Sequence, residues 1–408
     1  MQAFKMKLER FSKVCEDLFF KHFKDIERKV SGGFFLNDQG QKLNLLYPTM
    51  ILCSEAGGEI LSVELLGASE VLRPLKVKLR KCKTVSDLTL MDKSFKSLMP
   101  MMKIGDDIVL GNLFIGPIDT MKFYNDRRHP ILENFVSKIG FAGDFTHAFD
   151  FIDDFKSALV HDSVMTSLNG VFLRAKYISV NIFFSSSLSE QELKQRLSIY
   201  FLRESNGLLG VQLFSNAIHE AWAKGAYLMN LVLSDKIHET TIGDYINDNP
   251  DILLKSLGYS DIVYEPSLEW LEKTEDNEDK YINPDALLKR DDGYYDICDF
   301  KKGLLNKKKI TQAKRNRRRF LEEVNEGLAQ LENYVEYFTY KKNKDHGFDK
   351  YGVKVNNPKR ILIIGNIENT IRIEVEQALR GRPDVMVIDY DSLISSYYAS
   401  LAPQTVKC

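Results

Sequence analysis

The chain has 408 residues, 44% hydrophobic and 28% charged, with a formal net charge of −1. This length exceeds one ordinary core and predicts two or three domains, while the composition excludes a disordered chain. No apolar run nears the roughly eighteen residues of a membrane span, and the opening MQAFKMKLERF lacks an apolar core, so neither a membrane protein nor a secretory leader is expected.

The first element is an amphipathic helix over residues 3–30, with Phe4, Leu8, Phe11, Cys15, Leu18, Phe19 and Ile26 at helical spacing. Ser31-Gly32-Gly33 ends it. The stretches GFFLND, LNLLYPTMILCS, EILSVELLG, PLKVKLRK and DIVLGNLFIG then read as strands separated by Gly, Asn and Asp. A second helix is expected over residues 145–159, and GVFLRAKYISVNIFFSS reads as a long strand. Ser189 followed by Glu192 is a capping box opening the helix QELKQRLSIYFLRE. Residues 1–225 therefore form an N-terminal α+β region of one or two subdomains, with no phosphate loop and no repeat.

Residues 232–400 read differently. A helix over 235–247 leads to a second one opened by Asn249-Pro250. Strands follow at 262–266, 286–288 and 294–301, the last two joined by a hairpin turn at Asp291-Asp292-Gly293. A long helix over 317–340, a strand at 360–365, a helix at 368–379, a strand at 385–390 and a helix at 392–400 complete the order. The whole is an α/β arrangement, α+β overall, and helices before and after a small mixed sheet imply a C-terminal α/β sandwich.

The cysteines, Cys15, Cys53, Cys82, Cys298 and Cys408, are odd in number and lack CxxC spacing. They predict a reducing cytoplasm and exclude a disulfide scaffold and a zinc ribbon. His219 and His238 have no HExxH spacing, which excludes a zincin. The near-zero charge hides an asymmetry. Acids crowd residues 265–296, whereas KKGLLNKKKITQAKRNRRR, Lys301–Arg319, has none. Charge runs are usually solvated faces. Here Lys307, Lys308, Lys309, Lys314, Arg315, Arg317, Arg318 and Arg319 are candidates for phosphate contact.

One constellation carries chemistry. In NPDALLKRDDGYYDICDFKK, Asp285 opens one strand and Asp299 and Lys301 close the next. Alternation turns Tyr295, Ile297, Asp299 and Lys301 to one face. Two carboxylates beside an ammonium suit phosphodiester hydrolysis. The carboxylates would hold Mg2+, and the lysine would position or activate the attacking water and offset charge in the transition state. Residue types and order match the PD-(D/E)xK nuclease signature. Pro250-Asp251 with Glu278-x-Lys280 also fits it, but opens a helix and ends in the apolar-free TEDNEDK; Pro383-Asp384 with Asp389-x-Asp391 lacks the lysine.

Gln330 and Tyr334 share a helical face after the lysine strand, and Glu239 lies on the helix before the sheet. Tyr334 and the two tryptophans, Trp222 and Trp270, are equally well explained as packing. Residues 236–395 resemble the Shedu family of bacterial anti-phage defence proteins. The likeness rests on Glu239, the Asn249-Pro250 turn, the PD strand, the acid-x-Lys strand, the QxxxY helix, the IIGN strand end at Ile363–Asn366, and VIDYDSLI at Val387–Ile394. Two departures stand out. Asp299 replaces the commoner Glu, and a basic insert follows Lys301.

The resemblance implies a PD-(D/E)xK, restriction-endonuclease-like domain and a metal-dependent DNA endonuclease acting in defence. It further implies catalytic roles for Asp285, Asp299, Lys301, Glu239 and Gln330 and a metal held by Asp285, Asp299 and Glu239. Mg2+ is the expected ion, with Mn2+ as substitute, and the partners are DNA and a homo-oligomeric copy. Two alternatives stay open: an inactive DNA-binding or assembly module on the same fold, and a restriction or repair nuclease of the same chemistry.

Overall fold

The computed structural model describes residues 5–36, 40, 43–85, 88, 100–116, 138–142, 147–169, 172–203, 208–214, 217–234, 237–273, 279–314 and 317–401. The chain divides into two compact units, Met1–Lys236 and Ile237–Cys408. Among the described residues no helix is long and apolar enough to cross a membrane.

The first unit opens with α1 (Leu8–Ser31) and continues through β1 (Asn44–Leu46), β2 (Met50–Ala56), β3 (Ile60–Leu66), β4 (Lys76–Cys82), β5 (Pro100–Ile104), β6 (Ile108–Gly111), β7 (Leu113–Gly116), β8 (Lys138–Ala142), β9 (His147–Phe151), β10 (Ser157–Asn169) and β11 (Phe172–Ser185). It closes with α2 (Glu190–Arg203), β12 (Gln212–Phe214) and α3 (Ala217–Val232). Eight strands form one sheet in the order β4-β2-β3-β11-β10-β7-β8, with β6 also beside β10. The spacing of Phe11, Cys15, Phe19, Phe23 and Ile26 lays one apolar stripe of α1 on Ile51, Val63, Val180 and Ile182. The capping box forms as its chemistry dictates. The Ser189 backbone N–H donates to Glu192 Oε2 at 2.8 Å, and the Glu192 N–H donates to Ser189 Oγ at 3.3 Å.

Two expectations fail in this unit. The segment expected as a helix over 145–159 forms β9, a turn and the start of β10, with 145–146 outside the described residues. Phe149 and Phe155 are buried in one core cluster and Leu159 in another. Gly33–Leu36 forms none of the strands, and 37–38 lie outside the described residues. Residue 225, the expected end of the N-terminal region, lies within the almost continuously buried α3, and the first unit runs on to Lys236.

The second unit contains α4 (Glu239–Asp248), α5 (Asp251–Leu257), β13 (Asp261–Tyr264), β14 (Leu268–Glu269), β15 (Tyr281–Ile282), β16 (Ala286–Lys289), β17 (Tyr295–Phe300), β18 (Thr311–Lys314), β19 (Arg317–Phe320), α6 (Glu322–Tyr337), α7 (Lys341–Tyr351), β20 (Arg360–Ile363), α8 (Arg372–Ala378), β21 (Val385–Ile388) and α9 (Tyr390–Leu401). Its main sheet has the order β13-β16-β17-β20-β21. The first three strands are antiparallel and the last three parallel. The unit is mixed α and β.

Helices cover both faces of the central strand. A side chain added at Gly327 of α6 would meet Leu362 Cδ1 at 2.8 Å and Lys301 Cε at 3.5 Å. One added at Gly243 of α4 would meet Tyr264 Oη at 2.8 Å and Phe300 Cδ2 at 3.7 Å. Phe300 and Lys301 are neighbours in sequence and so point to opposite faces. All six residues of β17 are buried, as a central strand between two helical layers requires. The helix expected over 317–340 is a correction. Residues 317–320 form β19, paired antiparallel with β18, and the helix starts only at Glu322.

Candidate active site

The β16–β17 hairpin builds the site. Gly293 takes φ of 84° at its turn, a conformation costly for a side chain. Register then follows: Ala286 faces Cys298 and Leu287 faces Ile297. One step further, Asp285 lies opposite Asp299. Asp285 Oδ2 accepts the Phe300 N–H at 2.6 Å, which fixes the carboxylate against the end of β17.

Lys301 extends just beyond β17. Its N–H donates to Ile363 O at 2.8 Å, and Tyr390 Oη donates to its carbonyl at 2.6 Å. The backbone is therefore held from two neighbouring elements while the side chain crosses the carboxylates. Lys301 Nζ lies 2.7 Å from Asp299 Oδ2 and 3.1 Å from Glu239 Oε1. Asp299 is almost wholly buried, and Glu239, in the first turn of α4, is about two-fifths exposed, its side chain being 38% accessible.

The electrostatics follow from burial. Loss of water and the nearby Asp299 charge push the Asp285 carboxyl up to about 8. Asp299 is also raised by burial, although Lys301 opposes the shift. Two adjacent buried carboxyls share a proton in such a setting. Burial works against the Lys301 charge, but Asp299 and Glu239 outweigh it and hold the ammonium above its ordinary range. Lys301 is thus a cation throughout the physiological range in this state and orients rather than abstracts a proton.

Gln330 and Tyr334 sit on α6, which packs on β17 and β20. Gln330 Oε1 is buried without a hydrogen-bond partner. Tyr334 Oη donates to Asn283 O at 3.3 Å, and burial with the charges of Asp299 and Asp285 raises its hydroxyl. Tyr334 therefore lies within reach of the charges of the centre, and Gln330 is one turn before it on the same helix. Tyr390, Gly327 and the asparagine turn at 366–369 also shape it; Tyr390 and Asn366 fall within the VIDYDSLI and IIGN motifs without having been assigned to the site, and Gly327 and Asn369 went unread. Asn366 Nδ2 donates to Gly303 O at 2.6 Å, and Asn369 Nδ2 donates to Leu304 O at 2.9 Å. The IIGN motif was the signal for that turn, because its Asn side chains serve the backbone after Lys301.

The donor chemistry fits a hard divalent cation. Mg2+ is commonly held by one or two carboxylates with water and phosphate completing its shell. Asp285 and Asp299 supply that pair. Asp299 Oδ2 is buried, with the Lys301 ammonium 2.7 Å away. Among the described residues no three His, Cys, Asp or Glu form a metal-holding group. Glu239 reaches the site through the Lys301 ammonium, 3.1 Å from its Oε1.

The competing motifs serve structure. Asp251 lies in α5 and accepts from Tyr397 Oη, and Asp384 pairs with Arg360 at 2.6 Å. Glu278 lies outside the described residues. Trp270 packs edge-on against Tyr337, and Trp222 stacks on His219. Of the basic candidates, Lys307 pairs with Glu323, and Lys309 and Arg318 pair with Glu374. Lys308, Arg317 and Arg319 are exposed; the side chain of Lys314 and all of Arg315 lie outside the described residues. Among curated proteins no match to the chain was found. Residues 236–394 match the family model described as Shedu protein SduA, C-terminal, so this segment resembles a Shedu-type protein, and that resemblance implies a role in anti-phage defence.

Proposed function

We propose that the second unit is a Mg2+-dependent DNA endonuclease of the PD-(D/E)xK type, acting in bacterial anti-phage defence. One observation carries the reading: a buried carboxyl pair, Asp285 and Asp299, crossed by the Lys301 ammonium at 2.7 Å. When bound, Mg2+ would polarise the scissile phosphate and acidify a water, and Mn2+ can replace it.

Each side chain then has a task. Asp285 and Asp299 give up their shared proton and hold the cation. Lys301 donates from a fixed position, orienting water or a phosphate oxygen and offsetting the charge that develops there. Glu239 is a second restraint on the ammonium, 3.1 Å from it. The unpartnered Gln330 Oε1 is free to accept a hydrogen bond from water.

Lys301→Ala tests this directly. Losing one preorganised donor typically costs roughly a hundred- to a thousand-fold in turnover. We expect that loss of plasmid cleavage with DNA binding and thermal melting close to wild type. A Lys301→Ala protein that cleaves at the normal rate sinks the assignment.

A further inference from the structure

The basic insert after Lys301 is not a uniform charged stripe. Its strands β18 and β19 pair with the register Thr311–Phe320, Gln312–Arg319, Ala313–Arg318 and Lys314–Arg317. Directly opposed residues share a face, and successive residues alternate between faces. Thr311, Phe320, Ala313 and Arg318 therefore lie on one face, and Gln312, Arg319 and Arg317 on the other.

The first face is bound to the protein. Phe320 and the preceding Ile310 are buried in the core with Val324 and Leu328 of α6. Glu374 of α8 gathers what polar groups remain: Thr311 Oγ1 donates to it at 2.6 Å, Lys309 Nζ at 2.8 Å, and Arg318 lies at 3.1 Å. The root is fixed as well. Asn366 and Asn369 grip the carbonyls of Gly303 and Leu304, and the Ile310 N–H donates to Asn369 O at 2.9 Å. The second face has no such neighbours. Arg317 and Arg319 are exposed and make no ion pair among the described residues. Two permanently charged guanidiniums on a preorganised ribbon match successive backbone phosphates.

From this two-faced hairpin we propose that β18–β19 is an arm that binds the DNA phosphate backbone through Arg317 and Arg319, while Lys309 and Arg318 serve only to anchor it on Glu374. The proposal rests on the nuclease reading for its choice of DNA. It narrows the phosphate-binding set to the outward face and places that set on the segment leaving the catalytic lysine.

The test is a fluorescence-anisotropy titration of the full chain with a short labelled DNA duplex, in EDTA, over a series of KCl concentrations. Each phosphate contact adds about 0.9 to the log–log salt slope. Arg317→Ala/Arg319→Ala should melt like wild type, bind about tenfold more weakly and lose about 1.8 from the slope. The charge-matched control Lys341→Ala/Lys342→Ala, on the exposed start of α7, should leave both unchanged. An unchanged slope in the arginine variant overturns the proposal. So does an equal loss in the control, or competition by polyglutamate as strong as by DNA, which would point to an acidic protein partner. Cleavage by Lys301→Ala would refute the nuclease reading alone, since it leaves the salt slope untouched.

Discussion

At the scale of single residues, the site is governed by how little water reaches two carboxyls. The Asp285 carboxyl is pushed up to about 8, chiefly by burial and then by Asp299. The unfolded chain releases that proton near 4. Between those values the folded protein binds more protons than the unfolded one, so stability is greatest at the acidic end and falls as pH rises toward 8. Melting temperatures of metal-free protein across that window should therefore fall, and Asp285→Asn should flatten the fall. Added Mg2+ should raise the melting temperature more at pH 8 than at pH 6, because fewer protons then need displacing. A pH-independent Mg2+ effect would contradict the shared proton. The acid pair and Lys301 were legible in the sequence because strand alternation fixes their common face. The second support of the Lys301 charge, after Asp299, was not, because Glu239 lies 62 residues away.

At the scale of elements, α6 approaches the sheet closely at Leu362, beside the stem of Lys301. Gly327→Ala would place a methyl 2.8 Å from Leu362 Cδ1 and 3.5 Å from Lys301 Cε. Replacing Gly in a helix gains up to about 1 kcal/mol, while overpacking costs about 1–3 kcal/mol. Stability should thus move little, since the end of the Leu362 side chain is what must give way, and with Lys301 Cε at ordinary contact distance cleavage should stay within a few-fold of wild type. Melting temperature and turnover check the two expectations. Asn369→Ala should behave differently. It removes bonds to Gly303 and Leu304 carbonyls and to the Asn366 N–H, with net losses of about 1 kcal/mol each. A clear drop in melting temperature is expected. Elements with strong periodicity or flanking turns, such as α1, β3 and β17, were readable in the sequence. The β18–β19 hairpin was not. Its Lys and Arg residues favour helix in isolation, and only Phe320, Ile310 and Glu374 reveal why it folds as a ribbon.

At the scale of the whole molecule, the chain is two compact units that meet in sequence at Lys236–Ile237. The sequence set the end of the N-terminal region at 225, within α3, a helix buried on nearly all sides whose apolar residues show no amphipathic edge to mark a boundary. The second unit has its own core, around Leu287, Ile297, Leu328 and Leu362, and contains every proposed catalytic side chain. Residues 237–408 alone should therefore fold cooperatively and keep Mg2+-dependent cleavage, measurable by circular dichroism and a nuclease assay. The most direct measurement of the central claim is cleavage of supercoiled plasmid by the full chain in Mg2+, wild type beside Asp299→Ala. Nicking or cutting by wild type, abolished in the variant and in EDTA, is the predicted result; equal cleavage by both proteins would contradict it.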